Sequence, residues 1–123
     1  MTQEEKQLLL KDLCARLPYK VKVWYPNGSG AISTVKGIVD DICYFNENPI
    51  CGNFCHIEVV KPYLRSTDEI SDEESNEMEY LINRHNIEGF LDFVYSRHID
   101  WRNLIEKGLA LEAPEGMYNT KLE

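Results

Sequence analysis

The stretch Cys55-His56-Ile57-Glu58-Val59-Val60-Lys61-Pro62-Tyr63-Leu64-Arg65-Ser66 constrains the fold more than any other. Its first half alternates apolar and polar residues, the pattern of a strand with one buried face, with Cys55, Ile57 and Val59 on one side. Its second half meets a proline, which ends ladder hydrogen bonding, and then opens into an acidic segment. The residues N-terminal to it read as one helix and several strands, and those C-terminal to it read as helices. The stretch is therefore a seam between a β unit and a helical unit.

The β side is dense. Thr2 and Glu5 have the spacing of a capping box, and Leu9, Leu13 and Leu17, with Leu10 and Cys14 beside them, make an apolar stripe that Pro18 stops. Residues 20–25 alternate, with Val21, Val23 and Tyr25 on one side and Lys20, Lys22 and Trp24 on the other. Turn residues 26–30 lead into a strand over 31–39, in which Gly37 marks a bulge or a close backbone approach. Asp40-Asp41 turns the chain into a strand over 42–45, a loop runs on to residue 53, and 55–60 is the next strand. Residues 61–64 then end the β unit in a short turn. Short strands joined by tight turns suit a small, strongly bent antiparallel sheet or an SH3-like barrel.

On the helical side, Ser66 to Glu79 carries seven acidic residues and no basic one. Ser71 and Glu74 repeat the capping-box spacing for a helix ending near His85, whose first-turn acids read as solvated and dipole-compensating. Asn86 caps a second helix with the stripe Ile87, Phe90, Leu91, Val94, Tyr95. Asp100 caps a third, over 101–107, stopped by Gly108. Residues 109–117 lie extended on the surface. The expected fold class is α+β: an N-terminal helix, the bent sheet or barrel, and a C-terminal group of about three helices. The division falls at 1–65 and 66–123, with one compact domain as the alternative.

Charge sorts the partners. Residues 1–66 hold 8 basic and 7 acidic side chains, and 67–123 hold 5 and 14, within a formal net charge of −8. An acidic C-terminal half argues against general binding to phosphate backbones, which runs on basic groups releasing counterions. A small basic face on the near-neutral β half stays open. No apolar run approaches the roughly 20 residues of a membrane helix, and no basic region precedes an apolar stretch at the start, so a cytoplasmic chain without a membrane partner is expected. The four cysteines are then reduced, as small apolar groups in the interior. The alternative is a zinc site of Cys43, Cys51, Cys55 and His56. Its C-x7-C-x3-C-H spacing lacks the usual C-x2-C knuckle, and Cys55 and His56 fall on opposite faces of a strand.

No nucleotide-binding, zinc-protease or serine-hydrolase motif occurs. His56 sits on the polar face of a strand, and His85 and His98 sit near helix ends, where a cation gains from the dipole. A nucleophile pair such as Cys14 with His85 has nothing in the sequence to bring it together. The candidates are binding surfaces instead. Trp24 with Lys20 and Lys22 offers an aromatic ring beside two cations, for a peptide or a stacked base, unless the N-terminal helix covers it. Tyr63 and Arg65, at the seam, are either a second contact surface or internal packing.

Two stretches, Val59-Val60-Lys61-Pro62-Tyr63-Leu64-Arg65 with its acidic run and residues 98–113 (HIDWRNLIEKGLALEA), resemble a family of small uncharacterised proteins of gut Bacteroidetes prophages and mobile elements. The resemblance implies a bacterial, phage-related cytosolic protein and carries no activity or site residues with it. The leading expectation is a non-enzymatic interaction module, without cofactor, that binds a protein of phage or host. The alternatives are a nucleic-acid-related protein (a single-strand binder through the β unit, or an acidic DNA mimic) and an enzyme with an unrecognised site. Oligomeric state is not legible.

Overall fold

The computed structural model describes residues 2–24, 32–45, 54–114 and 116–118. Helix α1 spans Gln3–Arg16 and starts on a complete capping box: the Thr2 side chain accepts from the Glu5 N–H, and the Glu5 carboxylate accepts from the Thr2 N–H. A 3-10 turn at Leu17–Tyr19 ends on Lys20, whose positive φ of 57° swings the chain into the sheet. The strands are β1 (Lys22–Trp24), β2 (Ile32–Val39), β3 (Ile42–Phe45), β4 (Phe54–His56), β5 (Lys61–Leu64) and β6 (Leu111–Glu112), in the spatial order β4-β3-β2-β1-β5-β6. Two further helices, α2 (Asp72–Asn83) and α3 (Ile87–Ser96), complete an α+β fold. No described helix is long and apolar enough to cross a membrane.

The described strands form an open sheet, not the SH3-like barrel, and it is mixed, not antiparallel as expected, because β6 runs parallel to β5. Gly37 marks the expected bulge, where the β2–β3 register shifts between Val35 and Gly37. Tyr25 and Ala31, the ends of two expected strands, lie outside the described residues, as do the turn and loop expected at 26–30 and 46–53.

Four expectations are corrected. The strand expected over 55–60 stops at His56. Ile57–Val59 forms a 3-10 turn, in which residues three apart share a face, so Ile57 and Val60 are buried while Val59 turns outward. Residues 61–64 are no closing turn but an internal strand. Pro62 is tolerated there because β6 pairs only with Tyr63 and Leu64, beyond the missing N–H. The third helix does not form. The Asp100 carboxylate accepts from the N–H groups of Leu104 and Ile105 at 2.8 and 3.0 Å, but Asn103, at φ 60°, is left-handed and breaks the helical path. Residues 109–117 are not simply laid on the surface, since they contribute β6 and bury Leu109 and Ala110.

The main core packs Leu9 and Leu13 of α1 on Val23, Val35, Cys43, Phe45 and Leu64 of the sheet, with Leu104, Leu109 and Ala110 from the C-terminal half. A second cluster gathers Val94, Tyr95 and Ile99 with Ala15 and Tyr19, so the end of α1 also meets α3. Of the expected α3 stripe, Val94 and Tyr95 are buried and Phe90 and Leu91 half-buried, whereas Ile87 is exposed.

Candidate binding face on the sheet

Directly paired residues in a sheet point to the same side, so the register assigns every strand side chain to one of two faces. On the inner face Val23, Val35, Cys43, Phe45, Pro62 and Leu64 are all buried. On the outer face Lys61, Trp24 and Ile32 form one row across β5, β1 and β2. Lys22 and Thr34 form the next row, and Tyr63 of β5 is paired with Leu111 of β6. Not one of these outer side chains is buried, and Ile32 is 49% exposed. By alternation from Thr34 the same face carries exposed Lys36, at the bulge, and past it exposed Tyr44 and Val39. The one-sided burial is that of an antiparallel sheet with a single covered face.

The N-terminal helix, which the sequence allows as a cover for Trp24, packs through Leu9 and Leu13 on the opposite, inner face. Trp24 is half-buried in β1. Lys22 with Trp24, and Tyr63, which the sequence offers as two separate candidates, thus come together on adjacent strands. Lys20 does not join them: it is exposed at the left-handed entry to β1, outside the ladder. Ile32, Lys36 and Lys61 join the face unannounced, because strand register is set by long-range pairing that no local pattern reveals.

Among the described strand residues the outer face is charged in one sense only. Strands β1 to β5 contain no acidic residue, while Lys22, Lys36 and Lys61 lie on this face. Other cations are matched inside the chain. Lys6 reaches Asp41 at 2.7 Å, Arg16 reaches Asp12 at 2.7 Å, Arg65 reaches Glu74 at 2.6 Å and Arg102 lies 3.3 Å from Asp12. Among the described residues no carboxylate lies within ion-pair distance of Lys22, Lys36 or Lys61.

Tyr118 ties the face to the C-terminal segment. Its hydroxyl accepts from the Lys22 N–H at 2.9 Å and donates to the Tyr63 carbonyl at 2.8 Å, standing between two strands where the β1–β5 ladder has ended. Burial pushes its phenol up to about 12. Its ring stacks on His98 at 3.7 Å between centroids. His98 is not a cation at a helix end: burial, with help from Arg16, Arg65 and Lys22, pushes its pKa down to about 4, so the ring is neutral at pH 7.

Arg65 belongs to the seam instead of to the face. Its guanidinium donates to both oxygens of Glu74, at 2.6 and 2.7 Å, and to the Arg97 carbonyl at 3.1 Å. Its backbone bonds to His98 and Asp100, extending the sheet edge by one bridge to Ile99. Glu74 is buried, not solvated like the rest of its acidic run, and the Arg65 bonds hold its carboxyl below the ordinary value. The same carboxylate closes the α2 capping box by accepting from the Ser71 N–H at 3.1 Å.

A second buried charge centre lies under α1. Asp12 and Arg16 are wholly buried one turn apart, Arg16 also donates to the Ile99 carbonyl at 2.7 Å, and its guanidinium sits 5.0 Å from the Tyr95 ring centroid. Arg102 lies over the Trp101 ring and donates to the Tyr95 hydroxyl at 3.1 Å.

The cysteines diverge. Cys14 is exposed, correcting the expectation of an interior thiol, while Cys43 is buried and its thiol is pushed up to about 12 by burial. Cys43 and Cys55 pair across β3 and β4, and His56 pairs with Ile42 on the other face. Cys51 lies outside the described residues, and among those described no three metal-binding side chains converge. His56 and His85 are both exposed. No family model, no curated protein and no solved structure matches the chain.

Proposed function

We propose that this chain is a non-enzymatic interaction module that docks a protein partner on the outer face of its sheet. The observation that carries the reading is the grid of Trp24, Ile32 and Tyr63 with Lys22 and Lys61, a contiguous aromatic, aliphatic and cationic surface on which no side chain is buried. Large aromatic side chains left only half-buried on a sheet face are the kind of anchor from which interfaces draw most of their energy. The groups whose acid–base properties are most displaced serve packing: His98 is stacked, Glu74 is held by Arg65, and Cys43 is sealed in the core. That favours binding over turnover. The resemblance to Bacteroidetes prophage proteins directs the search for the partner to phage and host.

The test is capture of partners from a Bacteroidetes host lysate after nuclease treatment, with the parent chain and with Trp24→Ala and Tyr63→Ala variants of unchanged circular dichroism. The reading expects a stoichiometric protein that the parent retains and both variants lose. A partner held equally by all three chains places the interface elsewhere and refutes it.

A second reading is single-strand nucleic-acid binding on the same face. The pairing of half-buried aromatics with lysines that no described carboxylate matches favours it, since rings stack bases while cations follow phosphates. Recovery that disappears with nuclease is its signature.

A further inference from the structure

Resting on the docking reading, we propose that the segment received by the outer face is an acidic stretch of a protein, with one apolar side chain seated beside Trp24 and carboxylates flanking it. Among the described residues the cations divide into those matched by a carboxylate and those that are not. In a chain of net charge −8, Lys6, Arg16, Arg65 and Arg102 are each placed against a carboxylate. Lys22, Lys36 and Lys61 are the lysines of the outer face, and no carboxylate from the five strands β1 to β5 accompanies them. A face with one sign of charge is complementary to a partner of the other sign and rejects like-charged ones.

Spacing sets the size of that partner. Lys61 and Lys36 are separated by two strand intervals and four residues along β2, which places them roughly 16 Å apart. That is the length of about five extended residues, so a short segment can span the lysines. Between them lie Trp24 and Ile32, side by side in one row. An aromatic plane beside an aliphatic side chain makes an apolar seat for a side chain such as Leu or Phe. A base stack would be served by two parallel rings, and a phosphate chain by a continuous cationic track. Here the face beyond Lys36 turns apolar, with exposed Val39 and Tyr44. The net charge of the whole chain also opposes a long polyanion far more than a short acidic peptide. The chemistry of the grid therefore fits acidic protein better than nucleic acid.

The experiment is selection of a displayed library of random 12-residue peptides on the folded chain, with parallel selections on Trp24→Ala and on the double variant Lys22→Glu, Lys61→Glu. Enriched peptides and a fluorescent oligothymidylate are then titrated by anisotropy. The proposal expects enriched peptides with an apolar residue flanked by Asp and Glu. Their affinity should fall about tenfold or more on double charge reversal and weaken with salt. If the double variant loses its fold, Lys36→Glu, at an exposed position, replaces it and must lower affinity in the same direction. Enrichment dependent on Trp24 but without acidic bias overturns the acidic partner and leaves the docking face standing. Enrichment equal on the parent and Trp24→Ala overturns both. Oligothymidylate binding that outcompetes the peptides assigns the face to nucleic acid and overturns the proposal.

Discussion

Replacing Asp12 by asparagine should destabilise the protein by about 3 kcal/mol, because the substitution leaves two guanidiniums without their shared anion. Asp12 is wholly buried, accepts from Arg16 Nε at 2.7 Å and Nη2 at 3.3 Å, and lies 3.3 Å from Arg102 Nε. Removing one member of a buried ion pair costs about 3–5 kcal/mol, since the partner charge stays desolvated. Two features put this site at the low end. The asparagine oxygen still accepts from Arg16, and the Arg102 side chain, 18% exposed, has a path to water. Against a total stability of roughly 6–18 kcal/mol for a chain of this length, that is a large share. It corresponds to a fall of about 10–15 °C in Tm. Urea unfolding followed by circular dichroism at pH 7 measures it, with an unchanged m-value as the sign that the unfolded state is unaffected. A companion variant, Asp12→Leu with Arg16→Met, removes both charges of the pair and should recover the part of the loss that comes from Arg16, leaving that of Arg102. A measured change below about 1 kcal/mol for Asp12→Asn would refute the reasoning, for it would mean that the carboxylate is solvated or the arginines are matched by another group.

Two further perturbations concern the joint between the sheet and the C-terminal segment. His98 has a folded pKa of about 4 against an ordinary value of 6.5, so between those values the unfolded chain binds a proton that the folded chain refuses. Stability should therefore fall as pH drops through that window, by up to roughly 3 kcal/mol, and His98→Asn should flatten the urea midpoint between pH 6.5 and 5. The lowered Glu74 carboxyl adds a loss of the same sign only below its ordinary value of 4.5, which separates the two groups. Tyr118→Phe removes the hydroxyl between Lys22 and Tyr63, and should cost about 1–3 kcal/mol and speed hydrogen exchange at the Lys22 amide. An unchanged exchange rate would show that the Lys22 N–H has another partner.

The features legible in the sequence are those that depend on near neighbours. Thr2 with Glu5, Ser71 with Glu74, and Asn86 act as caps because capping needs only residues three apart. Gly37 at the bulge and Asp40 in the turn, at φ 53°, are equally local. Burial of charge was not legible. Asp12 and Arg16 sit four apart on a helix, where such a pair normally faces water, yet both are wholly buried, with Tyr95 and Ile99 against Arg16 and Arg102 against Asp12. Pro62 reads as a stop, yet its missing N–H is harmless where the neighbouring strand starts one residue later. Asp100 signals a helix start that Asn103 then cancels, and the same carboxylate serves a single turn equally well. Of the candidate surface, alternation alone separates Trp24 and Lys22 from Val21 and Val23. Their meeting with Ile32, Lys61 and Tyr63 depends on strand register, which couples residues up to tens of positions apart.

The most direct test of the outer face as the docking surface is site-specific photo-crosslinking. A benzophenone amino acid is placed at Ile32, in the Trp24 row, and separately at Ile87, exposed at the start of α3. Irradiation with the captured partner should yield a covalent adduct from position 32 and none from position 87. An adduct from position 87 alone would move the interface to the helices and contradict the account.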